Sequence, residues 1–474
     1  MTWLRRVIGM GNYYLAIDLG ASSGRHILGT LKEDRIVLEE IFRFPNEMRL
    51  INDHLCWDTG YLFSKILAGL KKCKEQGKIP VSLGIDSWGV DFVLLDGQEQ
   101  KLGETIAYRD RRTSGMDQEV SKVVSEEELY YATGIQKQIF NTIYQLKALQ
   151  IQEKELLERA EYFLMIPDYF NFLLTGVKLN EYTNATTTGL VDAEARTWHR
   201  GLIERLGLKP SLFGELSLPK TSVGYLRPAL AERVGFNCEV VLPPTHDTAS
   251  AVLATPILEE GSVYISSGTW SLIGVERRAP DCSEASRRAN FTNEGGYDYR
   301  FRYLKNIMGL WIIQRVKKEL DDRYSFAELC ALAAGEEPFP AVIDVNDQRF
   351  LSPANMIAAI REVCQETRQP IPATAGEIVS CVYHSLAQSY RNAVKELEAL
   401  LGLELKTIHI VGGGAQADYL NALTAKYTGK RVLTGPVEAT ALGNILAQML
   451  KAGEFTTLEE ARRAVFNSFP IKVW

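Results

Sequence analysis

The segment Ala16-Ile17-Asp18-Leu19-Gly20-Ala21-Ser22-Ser23-Gly24-Arg25 constrains this chain more than any other, because its pattern returns in altered form at Val263-Tyr264-Ile265-Ser266-Ser267-Gly268-Thr269. Each copy reads as an apolar strand, a tight loop of glycine and hydroxyl residues, and a second apolar run. That run is Ile27-Leu28 after the first loop and Trp270-Ser271-Leu272-Ile273 after the second. Glycine lets the backbone approach an anion closely, and successive main-chain N–H groups with Ser or Thr hydroxyls can donate to phosphate oxygens. One such loop is equally an ordinary hairpin turn. Its recurrence in both halves favours two related domains gripping one polyphosphate. Asp18 adds a carboxylate that would repel phosphate unless a cation lay between them, which implies Mg²⁺ held partly through water.

A chain of 474 residues has room for two or three domains. Its 46% hydrophobic and 24% charged residues are ordinary for a globular enzyme and far from a disordered composition. A net charge of −6 gives no electrostatic case for nucleic acid or an anionic membrane, so small-molecule ligands are the expectation. The seven cysteines include no C-x-x-C pair, which removes a zinc knuckle or redox motif and suits a reducing cytosol with unpaired thiols. Cys364 and Cys381 could meet only if the segment between them folds back. The opening Met1 to Met10 has too short an apolar stretch for a signal peptide or membrane span, and reads as a loose extension with Met10 an alternative start.

Along the chain, Tyr13 to Asp18, Arg25 to Leu31 and Ile36 to Ile41 read as successive strands, Gly60 to Lys74 as a helix, and Ser82 to Ile85 as a further strand. This order does not spell a Rossmann domain. No G-x-G-x-x-G is present, and Gly77-Lys78 and Gly429-Lys430 lack the flanking residues of a P-loop. Residues 115–175 read as mostly helical, with 141–159 the clearest periodic stretch, and 176–235 as mixed and loop-rich. A connector near Pro256 divides the chain into 1–255 and 256–474. The second part carries a helix from Ala375 to Leu401 and a strand, Thr407 to Val411, running into Gly412-Gly413-Gly414.

Three glycines between a buried strand and a helix at 417–426 leave backbone against which a purine or ribose can lie, although close helix–strand packing accounts for them as well. The turn and small-residue helix from Gly435 to Asn444 suit an element packed beside that pocket. Asp247, between His246 and Thr248 where a strand end meets a helix start, is a candidate general base. Phosphoryl transfer to an alcohol needs a group to receive the hydroxyl proton. Asp247 capping the helix is the competing account, and His246 is a second candidate base. Gly84 to Phe92 places Asp86, Trp88 and Asp91 at another strand-to-turn junction, a composition suited to a polyol, although Asp91 is equally a turn residue. Asn184 to Thr188, and Asn293-Glu294-Gly295-Gly296 with Asn306, are weaker polar clusters.

Taken in order, these pieces resemble the FGGY carbohydrate kinases of the actin–hexokinase-like ATPase superfamily, over nearly the whole chain from about Tyr13 to about Met449. The segments at 18–25, 84–92, 182–188, 246–251, 266–272 and 304–311 are closest to the branch of that family acting on L-rhamnulose. The resemblance implies an α/β fold of two actin-like (ribonuclease H-like) domains, mixed sheets flanked by helices, with the active site in the cleft between them. It implies ATP-dependent phosphorylation of the 1-hydroxyl of L-rhamnulose, a 6-deoxy-ketohexose. By that likeness Ala21, Ser22, Ser23, Gly24, Arg25, Thr269, Gln314 and Gly412, Gly413 and Gly414 contact ATP. Gly89, His246, Asp247, Thr248 and Asn306 line the sugar, Asp247 accepts the proton, and Mg²⁺ lies near Asp18. One departure is that many sugar kinases of this group have Lys-Leu-x-Trp where this chain has Gln145-Leu146-Lys147-Ala148.

The expectation is a cytoplasmic protein, a monomer or weak homodimer, whose partners are a sugar and ATP rather than nucleic acid or membrane. Two other readings compete. One is a kinase for another ketose such as L-fuculose, and the other is a superfamily member that uses ATP without phosphorylating a sugar. The second would not need Asp247 together with a polar, Trp-containing pocket.

Overall fold

The computed structural model describes residues 12–335 and 338–474. The extension read into Met1 to Met10, with the start at Met10, lies outside the described residues. The first strand, β1 (Tyr14–Leu19), is buried along its whole length. It turns at Gly20 into β2 (Ser23–Lys32), which pairs antiparallel with it and then with β3 (Arg35–Pro45). The crossover α1 (Thr59–Glu75) starts where the Asp58 carboxylate accepts from the Tyr61 N–H, and it buries Leu62, Ile66, Leu67, Leu70 and Cys73 on one face. It delivers β4 (Ser82–Ser87), also buried throughout and parallel to β1. Strands covered on both faces read as near-continuous apolar runs, which is why β1 and β4 are legible in the sequence.

Residues between β4 and the next sheet strand build their own hydrophobic cluster, with Phe92, Phe163, Trp198 and Phe213 in ring contact. The periodic stretch expected at 141–159 breaks at Glu153, whose backbone is not helical, into α2 (Thr142–Gln152) and a short helix, Lys154–Arg159. Within the region expected to be mostly helical, Tyr162–Met165 is instead a strand, paired antiparallel with Phe92–Leu95 ahead of α3 (Ile166–Thr175). Four apolar residues in a row carry no period that separates strand from helix. The sheet then gains β5 (Ser222–Tyr225) and β6 (Glu239–Val241), giving the order β5-β6-β4-β1-β2-β3, with β6 parallel to β4. Helix α4 (Asp247–Ala254) follows.

The second sheet repeats this plan. Strand β7 (Ser262–Ser267) pairs antiparallel with β8 (Trp270–Arg277), as β1 does with β2. Beyond β9 (Thr292–Gly295) and β10 (Phe301–Met308), the long helix α5 (Ala375–Leu401) begins in a capping box, Thr374 with Glu377, and ends at Gly402 in the left-handed region. Strand β11 (Thr407–Val411) then lies parallel to β7, as β4 does to β1. After α6 (Asp418–Thr428), β12 (Arg431–Thr434) lies parallel to β11. Then come α7 (Ala439–Ala452), α8 (Leu458–Ser468) and β13 (Lys472–Val473), antiparallel to β12. Within the second unit the order is β10-β8-β7-β11-β12-β13. The expected α/β class with mixed sheets and flanking helices is what the chain adopts.

The compact units do not follow one cut. The first takes residues up to Ala254, then Glu276–Tyr303 and Thr440–Ser468; the second takes Thr255–Val275, Leu304–Ala439 and Phe469–Trp474. The expected division at 255/256 is a single cut, whereas the chain crosses between the units first at Ala254/Thr255 and then again at four later points. Buried polar contacts draw the returning segments in. Gln448 on α7 donates to the Leu15 carbonyl, and its own carbonyl accepts from the Ser82 hydroxyl. Arg462 on α8 pairs with Glu276 at 2.7 Å and donates to the Val252 carbonyl. All seven cysteines are free; the Cys364 and Cys381 thiols are hydrogen-bonded neighbours without a bridge.

Candidate active site

In the first unit the expected phosphate loop is a four-residue turn closed by Gly20 N–H donating to the Ser23 carbonyl at 2.9 Å. Asn46 braces it from outside, its amide donating to the Gly20 carbonyl and its N–H to that of Ser22. Ala21 and Ser22 sit at the surface of this turn. Gly24 does not, because the ring of Phe44 occupies the place its Cβ would take. Packing alone accounts for that glycine. Arg25 lies opposite Asp18 across the β1–β2 pair, and its guanidinium binds the Asp18 carboxylate at 2.8 Å.

On its other side Asp18 is the register partner of Asp86 on β4. Asp86 is fully buried; its Oδ2 accepts from the Asn444 amide at 2.6 Å, and its Oδ1 has no partner. Burial, then the negative charge of Asp18, holds its carboxyl well above the usual carboxylate range. Strand β6 ends close by, since Ser87 N–H donates to the Thr245 carbonyl and Ser87 bridges to His246. Asp247 thus opens α4 at the carboxyl edge of β1, β4 and β6, where ligand-binding groups gather in open parallel sheets.

Asp247 does not cap its helix in the usual way. The Ala249 and Ser250 N–H groups donate to the His246 carbonyl, while Asp247 Oδ1 accepts from the Thr248 N–H at 2.5 Å and its hydroxyl at 3.2 Å. Oδ2 takes no hydrogen bond from any described residue, and about a third of the side chain, 32%, reaches solvent. Burial of the remainder raises its pKa, with the Asp18 charge adding to the effect and the hydrogen bonds from Thr248 opposing it. His246 is nearly buried, its Nε2 3.4 Å from Asp247 Oδ1 and its Nδ1 2.9 Å from a guanidinium nitrogen of Arg302. Glu294 pairs with Arg302 at 3.0 Å; burial would raise its pKa, but the Arg302 guanidinium holds it below the ordinary value.

The polyol-type segment is built around Asp91. Its Oδ2 accepts from the indole N–H groups of Trp57 at 2.7 Å and Trp88 at 2.9 Å and from the Tyr108 N–H; its Oδ1 accepts from Gln145. The two indoles lie 4.3 Å apart. Asp91 is therefore a buried anchor for two aromatic rings. Gln145, the point of departure from the broader family pattern, belongs to the same network, its carbonyl accepting from Arg112 at 2.8 Å. Gly89 packs on Thr187, whose hydroxyl accepts from the Val90 N–H. Val90 is a β-branched residue at φ +68°, a strained conformation of the kind that collects at functional sites. Asn184 to Thr188, within the stretch expected to be mixed and loop-rich, is a buried short helix and turn organised by Glu181, which also holds Thr245 through its hydroxyl at 2.7 Å.

The second unit joins its own candidates. Gly412, at φ +82°, leaves room for the Ser267 carbonyl, and Gly414 for the Ser267 side chain, while Gly413 faces open space. The second loop is tied forward, since the Thr269 carbonyl accepts from the Gly309 and Trp311 N–H groups, and the helix Trp311–Glu319 carries a half-buried Gln314. Thr269, Gln314 and the glycine loop are thus linked through this connected set of backbone contacts. Asn306 lies half-buried on β10. Sequence reasoning missed Arg302 and Gln448, which no local signal announces, and reached Asn444 only as the end of a small-residue segment, not as a partner of Asp86.

The oxygen donors around Asp18 fit Mg²⁺, a hard cation that keeps several waters. Asp86 Oδ1 adds a buried acceptor without a partner. Among the described residues no three His, Cys, Asp or Glu side chains are arranged to hold a metal by themselves, so water and phosphate oxygens would complete the shell.

Two family models match, the FGGY family of carbohydrate kinases N-terminal domain over residues 13–254 and its C-terminal domain over 263–452. The chain belongs to the FGGY family of carbohydrate kinases, enzymes with ATP as co-substrate. It is 52% identical to a rhamnulokinase of Halalkalibacterium halodurans over 461 residues, covering 97% of this chain and 98% of that one. It is 45% identical to a rhamnulokinase of Bacillus subtilis, covering 97% and 95%. In fold it resembles a xylulose kinase from Lactobacillus acidophilus, with a TM-score of 0.80 at 15% identity over 98% of this chain and 93% of that one. It also resembles Plasmodium falciparum glycerol kinase with ADP, at 0.78 and 16% over 97% and 94%.

Proposed function

We propose that the chain transfers the γ-phosphoryl group of ATP to the 1-hydroxyl of L-rhamnulose, giving L-rhamnulose 1-phosphate and ADP. The relatives named rhamnulokinase support the substrate. The observation that carries the chemistry is Asp247, with Oδ1 engaged by Thr248 and Oδ2 open at the edge of the parallel strands. Asp247 Oδ2 takes the O1 proton as the O1 lone pair attacks the γ-phosphorus, and the bond from that phosphorus to the bridging oxygen breaks, releasing ADP. Asp18 would hold Mg²⁺, partly through water, and the cation would offset the charge of the phosphates.

Gly89, His246, Thr248 and Asn306 hold the sugar, while Ala21 to Arg25, Thr269, Gln314 and Gly412 to Gly414 hold the nucleotide. In this reading the Arg25 guanidinium, now on Asp18, is the cationic side chain of the phosphate loop. The setting is the cytoplasm, with the protein a monomer or weak homodimer. Free cysteines throughout suit a reducing compartment, and no helix among the described residues is long and apolar enough to cross a membrane.

The test is ADP release from Mg–ATP with L-rhamnulose, L-fuculose, L-xylulose and D-fructose. Turnover with L-rhamnulose is expected to fall by about 10²- to 10⁴-fold in Asp247→Asn, with ATP still bound. Turnover with L-fuculose alone would keep the mechanism and replace the substrate; no sugar-dependent ADP release would remove the kinase reading.

A further inference from the structure

Arg302 comes from β10, far along the chain from the Asp247 helix, and is 0% exposed. Its Nε donates to the Gly295 carbonyl at 2.9 Å, and one terminal nitrogen stands 2.9 Å from His246 Nδ1. A guanidinium has N–H donors and no acceptor, so His246 Nδ1 can only accept. An imidazole accepting at Nδ1 carries its proton on Nε2, which is the nitrogen facing Asp247 Oδ1 at 3.4 Å. The opposite tautomer would need an Nδ1–H directed at Glu294 Oε2, also 3.4 Å away. That arrangement would set an N–H against the guanidinium N–H. Glu294 Oε2 in fact makes no well-formed hydrogen bond, although it lies 3.0 Å from Arg302. That nitrogen carries two N–H groups, one of which is aimed at the ring, and Glu294 serves as the counter-charge.

We propose that Arg302 is a positioning residue for the phosphoryl transfer, holding His246 as a neutral imidazole protonated on Nε2. This rests on the reading of Asp247 as base. The Nε2–H faces Oδ1 and leaves Oδ2 as the oxygen that receives the substrate proton. A neutral ring also spares Asp247 the full positive charge that would make it a weaker base.

Long-range ¹H–¹⁵N spectra of histidine-labelled protein test this directly, with the His246 signals assigned by their loss in His246→Gln. The wild type is expected to show a protonated Nε2 and an unprotonated Nδ1 at neutral pH. Arg302→Lys, which keeps a donor, should retain that pattern. Arg302→Met should reverse or average it and lower kcat by up to about 10²-fold, with KM for ATP little changed and folding checked by circular dichroism. An Nδ1–H or doubly protonated ring in the wild type overturns the proposal, and so does an unchanged tautomer in folded Arg302→Met. If instead Asp247→Asn keeps its turnover while the tautomer is as stated, the base assignment falls and the role of Arg302 toward the ring stands.

Discussion

Two glycines that look alike in the sequence have opposite reasons to be glycine. Gly24 lies against the Phe44 ring, so Gly24→Ala is expected to destabilise the protein by about 1–3 kcal/mol, an effect relieved by Phe44→Leu in the same chain. Gly413 faces open space, so Gly413→Ala should leave stability within roughly 0.5 kcal/mol of wild type and, on the proposed role, weaken ATP binding. Thermal unfolding and nucleotide titration of the two variants separate the cases. Asp86 offers a pH test. Its carboxyl is raised, so the folded state holds the proton more tightly than the unfolded chain. Stability from this group is full below about pH 3.9 and is lost as pH rises through the folded value. Asp86→Asn should therefore gain stability over wild type at about pH 7.5, with the gain shrinking toward about pH 4. Asp18 and Asp247 are legible in the sequence because each stands beside a strand end and a loop signal. Arg302 and Asn444 are not, since they reach their partners across 56 and 358 residues.

At the scale of elements, the strands that carry the site are held by a helix that arrives near the end of the chain. Asn444 and Gln448 lie one turn apart on α7, bonded to each other at 2.8 Å and to the backbone or side chains of β1 and β4. Replacing Gln448 by Leu removes a donor from the Leu15 carbonyl and the acceptor of the buried Ser82 hydroxyl, and should destabilise by about 1–3 kcal/mol for the group left unsatisfied. Chemical denaturation of the variant measures it. The elements themselves were largely legible: β1 to β4, α1, α5 and β11 follow from buried apolar runs or helical periodicity. The strand Tyr162–Met165 was not, because four apolar residues fit either structure and only its partner Phe92–Leu95 decides between them. The Asp91 anchor was half legible. Its neighbours Trp88 and Phe92 marked the segment, whereas Trp57 and Gln145 join it only in the fold.

For the whole molecule, the same topology in both sheets was foreshadowed by the repeated strand and loop, but the path of the chain was not. A fragment ending at 255 lacks Glu276–Tyr303 and Thr440–Ser468, and is expected to expose apolar surface and be cut rapidly in limited proteolysis, where the full chain resists. Adding those two segments on linkers should restore resistance. That routing also sets a schedule for synthesis. The N-terminal unit of a growing polypeptide ordinarily folds first, as it leaves the ribosome. Here the Leu15 carbonyl waits for Gln448, a partner 433 residues downstream. For most of its translation the earliest-made half must remain unfinished, with its central strands in need of protection until α7 emerges.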